Sequence, residues 1–311
     1  MRRREETAKE TVAYWCYRTI EWLAMTLPER RGRRVFVALG RQAYRRMPKL
    51  RATVAANLAR VLDADPRDPR VARATRDAFE LYARYWFDTF FVRTLSAEEV
   101  NRRTVIVGLE RVDAALEAGK GCILVLPHTG NWDAVGAWFG VNGYLVAAVA
   151  EELRPRRLFE LFVRHRETMG MKVIGLSEHA HVGTQLKSLL ARNWMVALVS
   201  DRDLTGRGIE VEMFGAPRKV PVGPALLSLT TGAPILCCPT YTLEDGWEVR
   251  FEGPLEIERT GDLRADVAAL TRLMAERFER AIASHPTDWH MFQPAWEPQP
   301  AADEVSAAPR R

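Results

Sequence analysis

The chain has 311 residues, of which 47% are apolar and 27% charged, with a net charge of +5. These are the proportions of an ordinary globular protein with enough chain for one large core or two small ones. No apolar stretch approaches the roughly 20 residues that cross a bilayer, and residues 2–10 are too charged to open a secretory signal. The four cysteines (Cys16, Cys122, Cys237, Cys238) form neither a CxxC pair nor a disulfide framework, and three of them sit in apolar runs. They read as core-filling thiols in a reducing cytosol.

In chain order, residues 11–27 predict an amphipathic helix ended by Pro28. Trp15, Arg18, Trp22 and Met25 fall three or four apart, as do Tyr14, Tyr17 and Glu21. Basic residues crowd the first sixth of the chain: Arg2 to Arg4, Arg30, Arg31, Arg33, Arg34, Arg41, Arg45, Arg46, Lys49 and Arg51. Such a block binds polyanions. Large aromatics at helical spacing beside it favour anionic lipid over nucleic acid, and no nucleic-acid motif accompanies it. A helix that simply packs on the fold is the structural alternative. Helices are expected over 34–62, with a break at Pro48, and over 69–92. The aromatics Phe79, Tyr82, Tyr85, Trp86, Phe87, Phe90 and Phe91 in the latter read as packing.

Beyond residue 103, short apolar runs alternate with helical patterns. Strands are expected at 104–107, 122–126, 144–150, 172–174, 195–200, 234–241, 247–251 and 255–257. Helices are expected at 110–117, 132–139, 156–169, 184–192 and 267–284. This alternation predicts an α/β fold, with a mostly parallel central sheet flanked by helices and a helical N-terminal extension. Residues 297–311, rich in Pro, Ala and charge, read as a disordered tail.

The chemistry concentrates at His128-Thr-Gly-Asn-Trp-Asp133, directly after the apolar run 121–127. A strand–turn–helix corner can fold the Asp133 carboxylate onto the His128 ring, fixing one nitrogen as N–H and freeing the other as a base. No Ser or Cys adjoins the pair, so the nucleophile is expected to be a substrate hydroxyl. The structural alternatives are a first-turn acid complementing the helix dipole and a turn histidine satisfied by backbone. Zinc lacks a third ligand at the usual spacings, and His179 and His181 are weak metal candidates in a polar loop.

His-x4-Asp after a buried strand is similar to the signature of the glycerolipid acyltransferase superfamily. The form His-Thr-Gly-Asn-Trp-Asp resembles the branch containing the lipid A late acyltransferases. Ser200-Asp-Arg-Asp-Leu-Thr205, Gly208 to Gly215, Val220 to Ala225, and Gly232 to Pro239 add to the match. Asp288-Trp-His-Met-Phe-Gln-Pro294 resembles the actinobacterial members that acylate phosphatidylinositol mannosides. The resemblance runs from about residue 10 to 296 and implies one acyltransferase domain over 1–296. Residues 1–95 would be its helical, membrane-proximal part and 104–296 its α/β catalytic core.

The implied reaction is O-acylation of a mannose hydroxyl of phosphatidylinositol mannoside. A long acyl-CoA, palmitoyl in length, is the co-substrate, and no cofactor or metal takes part. The expected site is His128 as base with Asp133 as its orienter, and Glu151, Arg166, Asp201 and Arg202 about the substrates. Mannoside acyltransferases resembling this chain carry Glu where Asp201 stands, which shortens the reach of that carboxylate. Arg154, Arg156 and Arg157 are candidates for the CoA phosphates. The oxyanion is expected to be held by N–H groups of the 129–131 turn or by a side-chain cation. Gly223-Pro224 and Pro234 read as the floor of the acyl groove, and His285 and His290 as structural or lining the acceptor entrance. The implied location is the cytoplasmic face of the plasma membrane, as a peripheral or monotopic protein on an anionic surface. The other readings are a lauroyl-type enzyme with another glycolipid acceptor, a non-catalytic lipid-surface protein and a basic nucleic-acid binder.

Overall fold

The computed structural model describes residues 6–176, 181–204 and 206–296. The expected tail, Arg2 to Arg4, His179 and Thr205 lie outside them. Four helices open the chain: α1 (Ala8–Thr26), α2 (Glu29–Arg46), α3 (Pro48–Val61) and α4 (Pro69–Phe91). Thr7 and Glu10 cap α1 reciprocally, which satisfies backbone N–H groups that have no intrahelical partner. Pro48 and Pro69 each sit in a first turn, where a missing N–H costs nothing. Pro48 therefore separates α2 from α3, as the sequence predicts.

The two stripes of α1 separate in space. Tyr14, Tyr17, Ile20 and Leu23 pack against the cluster of Phe87, Phe90 and Phe162. Val12, Trp15, Trp22 and Met25 face outward, with Trp15 59% and Trp22 62% exposed. Among the described residues no helix is long and apolar enough to cross a membrane.

The remainder alternates as α5 (Ala97–Arg103), β1 (Thr104–Val107), α6 (Leu109–Glu117), β2 (Cys122–Leu126), α7 (Trp132–Val141), β3 (Val146–Glu151), α8 (Arg156–Glu167), β4 (Lys172–Leu176), α9 (Val182–Leu190) and β5 (Met195–Val199). A hairpin β6 (Ile209–Met213) and β7 (Ala216–Val220) follows, then α10 (Gly223–Thr231), β8 (Ile235–Cys237), β9 (Thr240–Leu243), β10 (Gly246–Arg250) and α11 (Leu263–Ser284). The central sheet runs β4-β3-β5-β2-β8 and every pair in it is parallel. A smaller sheet has the order β1-β10-β9.

Alternation along the central strands divides the core. Ile123, Val125, Ala147, Val196 and Ile235 point to one face, where they meet Leu270, Met274 and Phe278 of α11. Cys122, Leu124, Leu126, Val146 and Met195 point to the other, against Ala134, Val135 and Phe139 of α7. Parallel sheets need both faces covered, and here both are.

Three of the expected features are placed differently by the structure. The run 234–241 splits at Pro239, so β8 joins the central sheet and β9 the smaller one. Residues 255–257 form no strand, because Pro254 lacks a donor and Gly253 takes φ +118, which ends the extended backbone. Gly223-Pro224 opens α10, which packs with α11 and β8 on the face away from α7, so neither shapes a groove floor beside α7.

Candidate functional site

β2 and β5 are adjacent and parallel, with Leu126 opposite Val199. The Ser200 N–H donates to the Leu126 carbonyl at 2.9 Å, carrying the pairing one step past the strand ends. Continuing that register places residue 128 beside residue 201. There the His128 Nδ1 meets the Asp201 Oδ1 in a short hydrogen bond. Ligand crevices in open α/β sheets form at such carboxyl-terminal strand ends.

The expected partner of His128, Asp133, lies elsewhere. It occupies the first turn of α7, buried, where Arg166 Nε donates to its Oδ1 at 2.6 Å and Nη2 to its Oδ2 at 3.2 Å. The Tyr85 hydroxyl donates to Oδ2 at 3.3 Å. The i, i+5 spacing across the corner turns Asp133 towards α8 rather than back to the ring. Burial alone would raise the Asp133 carboxyl, but the Arg166 charge and hydrogen bonds outweigh it and hold the group ionised.

Asp201 is fully buried, and both of its carboxylate oxygens are occupied. Trp289 Nε1 donates to Oδ2 at 2.8 Å, and an Arg218 guanidinium nitrogen donates to the backbone carbonyl. Burial opposes its ionisation, yet the His128, Arg218 and Trp289 contacts hold its carboxyl far below the usual range. Asp201 is therefore placed to orient the histidine, not to touch an acceptor sugar. With Nδ1 engaged, His128 Nε2 is the ring nitrogen left to exchange a proton. The side chain is 26% exposed, and its ring stands edge-on to Trp132 at 5.7 Å.

His128 lines a cavity of about 330 Å³. Its walls come from α4 (Tyr82, Tyr85, Trp86), α7 (Val135, Gly136, Phe139), α8 (Phe159, Phe162) and the sheet face of Leu124, Leu126, Ala148 and Ala197. Met171, Val249 and Phe251 add further apolar wall. Ala148 and Ala197 are opposite one another in register on β3 and β5. Both are half-buried although they lie within the central sheet; their small side chains leave the space behind them.

Glu151 and Arg202 line the same cavity and pair with each other at 3.0 Å. Glu151 ends β3 and Arg202 follows Asp201, so the sheet edge brings them together. The expected phosphate cluster is partly engaged: Arg157 pairs with Glu6 at 2.8 Å and lies over the Tyr14 ring, and Arg156 pairs with Glu160 at 2.9 Å. The turn N–H groups of Thr129 and Gly130 donate to the carbonyls of Pro127 and Asp288, so these two are not free for an oxyanion. His181 stands at the N-terminal end of α9, away from the cavity lining. His285 packs on Tyr241.

Sequence reasoning missed Trp289 as part of the site; His290, read as structural or as lining the acceptor entrance, does line the cavity. It donates from Nε2 to the Gly130 carbonyl at 2.9 Å. The available signal was the C-terminal stretch Asp288-Trp-His-Met-Phe-Gln-Pro294, which the resemblance had already singled out.

A histidine fixed by a buried carboxylate thus stands at the wall of an apolar cavity. The profile described as bacterial lipid A biosynthesis acyltransferase matches residues 2–297, and the chain belongs to that family of acyltransferases. It is similar to the phosphatidylinositol mannoside acyltransferase of Mycobacterium tuberculosis (strain ATCC 25618 / H37Rv), with 39% identity over 295 residues, 92% of this chain and 89% of the relative. The protein of the same name from Mycolicibacterium smegmatis (strain ATCC 700084 / mc(2)155) is 35% identical over 277 residues, 88% of each chain.

Proposed function

We propose that this acyltransferase moves a long fatty acyl chain, palmitoyl in length, from acyl-CoA to a mannose hydroxyl of phosphatidylinositol mannoside. The observation that carries the reading is His128, held through Nδ1 by Asp201 and opening beside the apolar cavity. The names of the similar mycobacterial proteins supply the acceptor class.

In this reading His128 Nε2 takes the proton of the acceptor hydroxyl as its oxygen attacks the thioester carbonyl carbon. The C–O bond forms and the C–S bond breaks. The CoA thiolate leaves and takes the proton from the imidazolium. Asp201 keeps the ring oriented and compensates the imidazolium charge. With two turn N–H groups engaged, a side-chain cation of the cavity wall, Arg166 or Arg202, is the stabiliser of the oxyanion. The acyl chain lies between α7 and the alanine-bearing sheet face. Glu151, exposed at the end of β3, accepts hydrogen bonds from acceptor hydroxyls.

The outward face of α1 supports attachment at the cytoplasmic face of the plasma membrane. Trp15 and Trp22 insert at the interface while Arg30, Arg31 and Arg34 meet anionic headgroups. The test is incubation with labelled palmitoyl-CoA and a panel of membrane glycolipids, followed by product identification. Acylated phosphatidylinositol mannoside is the expected product. Acylation of a different glycolipid alone would replace the acceptor, and transfer only from acyl-carrier protein would replace the donor.

A further inference from the structure

Residues 288–291, leaving the 3-10 turn Pro286–Asp288, cross the catalytic corner as a strap. The His290 N–H donates to the His128 carbonyl at 2.7 Å, and the Gly130 N–H donates to the Asp288 carbonyl at 3.1 Å. Thr129 and Trp289 pair as an isolated antiparallel bridge. The strap is itself anchored at both ends. The Thr242 N–H donates to the Asp288 carboxylate at 3.0 Å, and Asn57 Nδ2 donates to the carbonyls of Met291 and Gln293 at 2.9 and 2.8 Å.

From this strap the Trp289 indole, 2% exposed, reaches Asp201 Oδ2 at 2.8 Å while His128 takes Oδ1. Arg218 lies over the same indole with its guanidinium carbon 5.2 Å from the ring centroid, and it also donates to the Asp201 carbonyl. One side chain thus links the carboxylate to the strap that holds the backbone of the base.

We infer that Trp289 is a positioning residue: its indole N–H fixes the Asp201 carboxylate and, through it, sets the orientation and proton affinity of His128. The inference rests on the proposed role of His128 and Asp201. The physical reason is the sharing of one negative charge. A carboxylate that accepts a hydrogen bond at Oδ2 has less charge to offer at Oδ1. Without the indole donor, Oδ1 attracts the imidazolium more strongly, and the base holds its proton to higher pH. The carboxylate also gains freedom to rotate, so the ring loses its fixed tautomer and direction. The other polar groups around the pair are Arg218 on β7, Arg202 beside Asp201, and His290, whose Nε2 is fixed on Gly130.

Trp289→Phe keeps most of the ring and deletes the donor. Benzothienylalanine placed at 289 by codon reassignment keeps the full shape and deletes only the N–H. In the palmitoyl-CoA assay both are expected to keep KM for donor and acceptor within about twofold and to lose about tenfold or more in kcat. The acidic limb of the kcat/KM profile should move up by about half to one pH unit. A loss of kcat with an unmoved limb in the folded benzothienylalanine protein would make Trp289 merely structural. An unchanged rate and limb would remove it from the site. If Trp289→Phe fails to fold, the isosteric protein alone decides. Asp201→Asn is measured beside them. Near-normal turnover there would overturn the proposed dyad itself, whereas a disabled Asp201→Asn with a normal benzothienylalanine protein overturns only the role of Trp289.

Discussion

Asp133 and Arg166 close a two-point ion pair between the first turn of α7 and the last turn of α8, with the carboxylate 1% and the guanidinium side chain 15% exposed. The pair ties the helix that carries one cavity wall to the helix that carries another. Removing one partner leaves a charge stranded in the interior, which costs about 3–5 kcal/mol, whereas replacing both by apolar groups is far milder. Arg166→Met and Asp133→Leu are each expected to destabilise the protein by that amount in urea unfolding. The double variant should recover most of the loss. Additive losses in the double variant would mean that the two side chains act on stability independently.

His128→Ala is expected to lower transfer about 10²- to 10⁴-fold with folding retained, the usual scale for a general base. A well-folded variant with near-normal transfer would remove the histidine from the mechanism. No covalent acyl-enzyme is expected. The cavity-lining thiol is Cys238, and burial pushes its pKa well above the ordinary value, so it stays protonated. Cys122 on β2 is likewise pushed up to about 12 by burial. Intact mass spectrometry of the protein quenched during turnover checks this, and a stoichiometric adduct that turns over would sink direct transfer.

In the proposed reading the acyl chain lies against Ala148 and Ala197, which line the cavity, so enlarging either side chain should shorten the chain that fits. Ala197→Leu adds a branched side chain to the sheet face that lines the cavity. Competition between acyl-CoA donors of increasing length is the measurement. The variant is expected to shift preference towards shorter donors by roughly tenfold, on the scale of one to three kcal/mol for overfilling a packed space. An unchanged length preference would place the acyl chain elsewhere.

Two buried histidines make the fold sensitive to mild acid. Burial lowers the His165 pKa from 6.5 to about 4 and that of His290 from 6.5 to about 3. Both are neutral in the fold and protonate first in the unfolded chain. Their contribution is complete above pH 6.5 and is lost as pH falls towards those folded values. The slope is about 1.4 kcal/mol per pH unit for each histidine. Asp133 and Asp201 have lowered pKa values, so their contribution fades only below the ordinary carboxylate value of 3.8. Urea midpoints should therefore fall between pH 6.5 and 5, and His165→Leu should flatten that decline by about half. A flat wild-type midpoint over this range would show that His165 and His290 are protonated within the fold.

Much of the fold was legible because its signals are local. The apolar run 122–126 is a fully buried strand, and its five register partners on β5 come from an equally apolar run. The outer and inner stripes of α1 follow from helical spacing alone. The hairpin β6–β7 escaped notice because Ile209–Val220 mixes exposed charges with buried positions at Val211, Met213, Arg218 and Val220. The site was legible as a set of residues but not as a set of contacts. His128, Asp133, Arg166 and Asp201 all stand at it, yet the partner of the histidine depends on the pairing of β2 with β5, which lies 73 residues away in the chain. Local spacing favoured Asp133; non-local strand order selected Asp201. Trp289 shows the same limit, for its bond to Asp201 spans 88 residues.

Within the run 30–34 the structure separates exposed arginines from one that is engaged in the fold. Arg33 is engaged with Glu29, Asp88 and Asp245, so it belongs to the contacts that hold α2 to the core. Arg30, Arg31 and Arg34 are exposed. Trp15→Ala with Trp22→Ala should weaken liposome binding by removing the interfacial anchors. Neutralising Arg30, Arg31 and Arg34 should weaken it by about 1 kcal/mol per residue at low salt, and only on anionic vesicles. Neither change should unfold the protein, whereas Arg33→Gln should lower its stability by leaving the buried Asp88 short of a partner. Flotation with anionic and neutral vesicles separates the two anchors. Equal binding to both vesicle types, unaffected by either set of substitutions, would mean that the membrane surface lies elsewhere and that the outward face of α1 has another role.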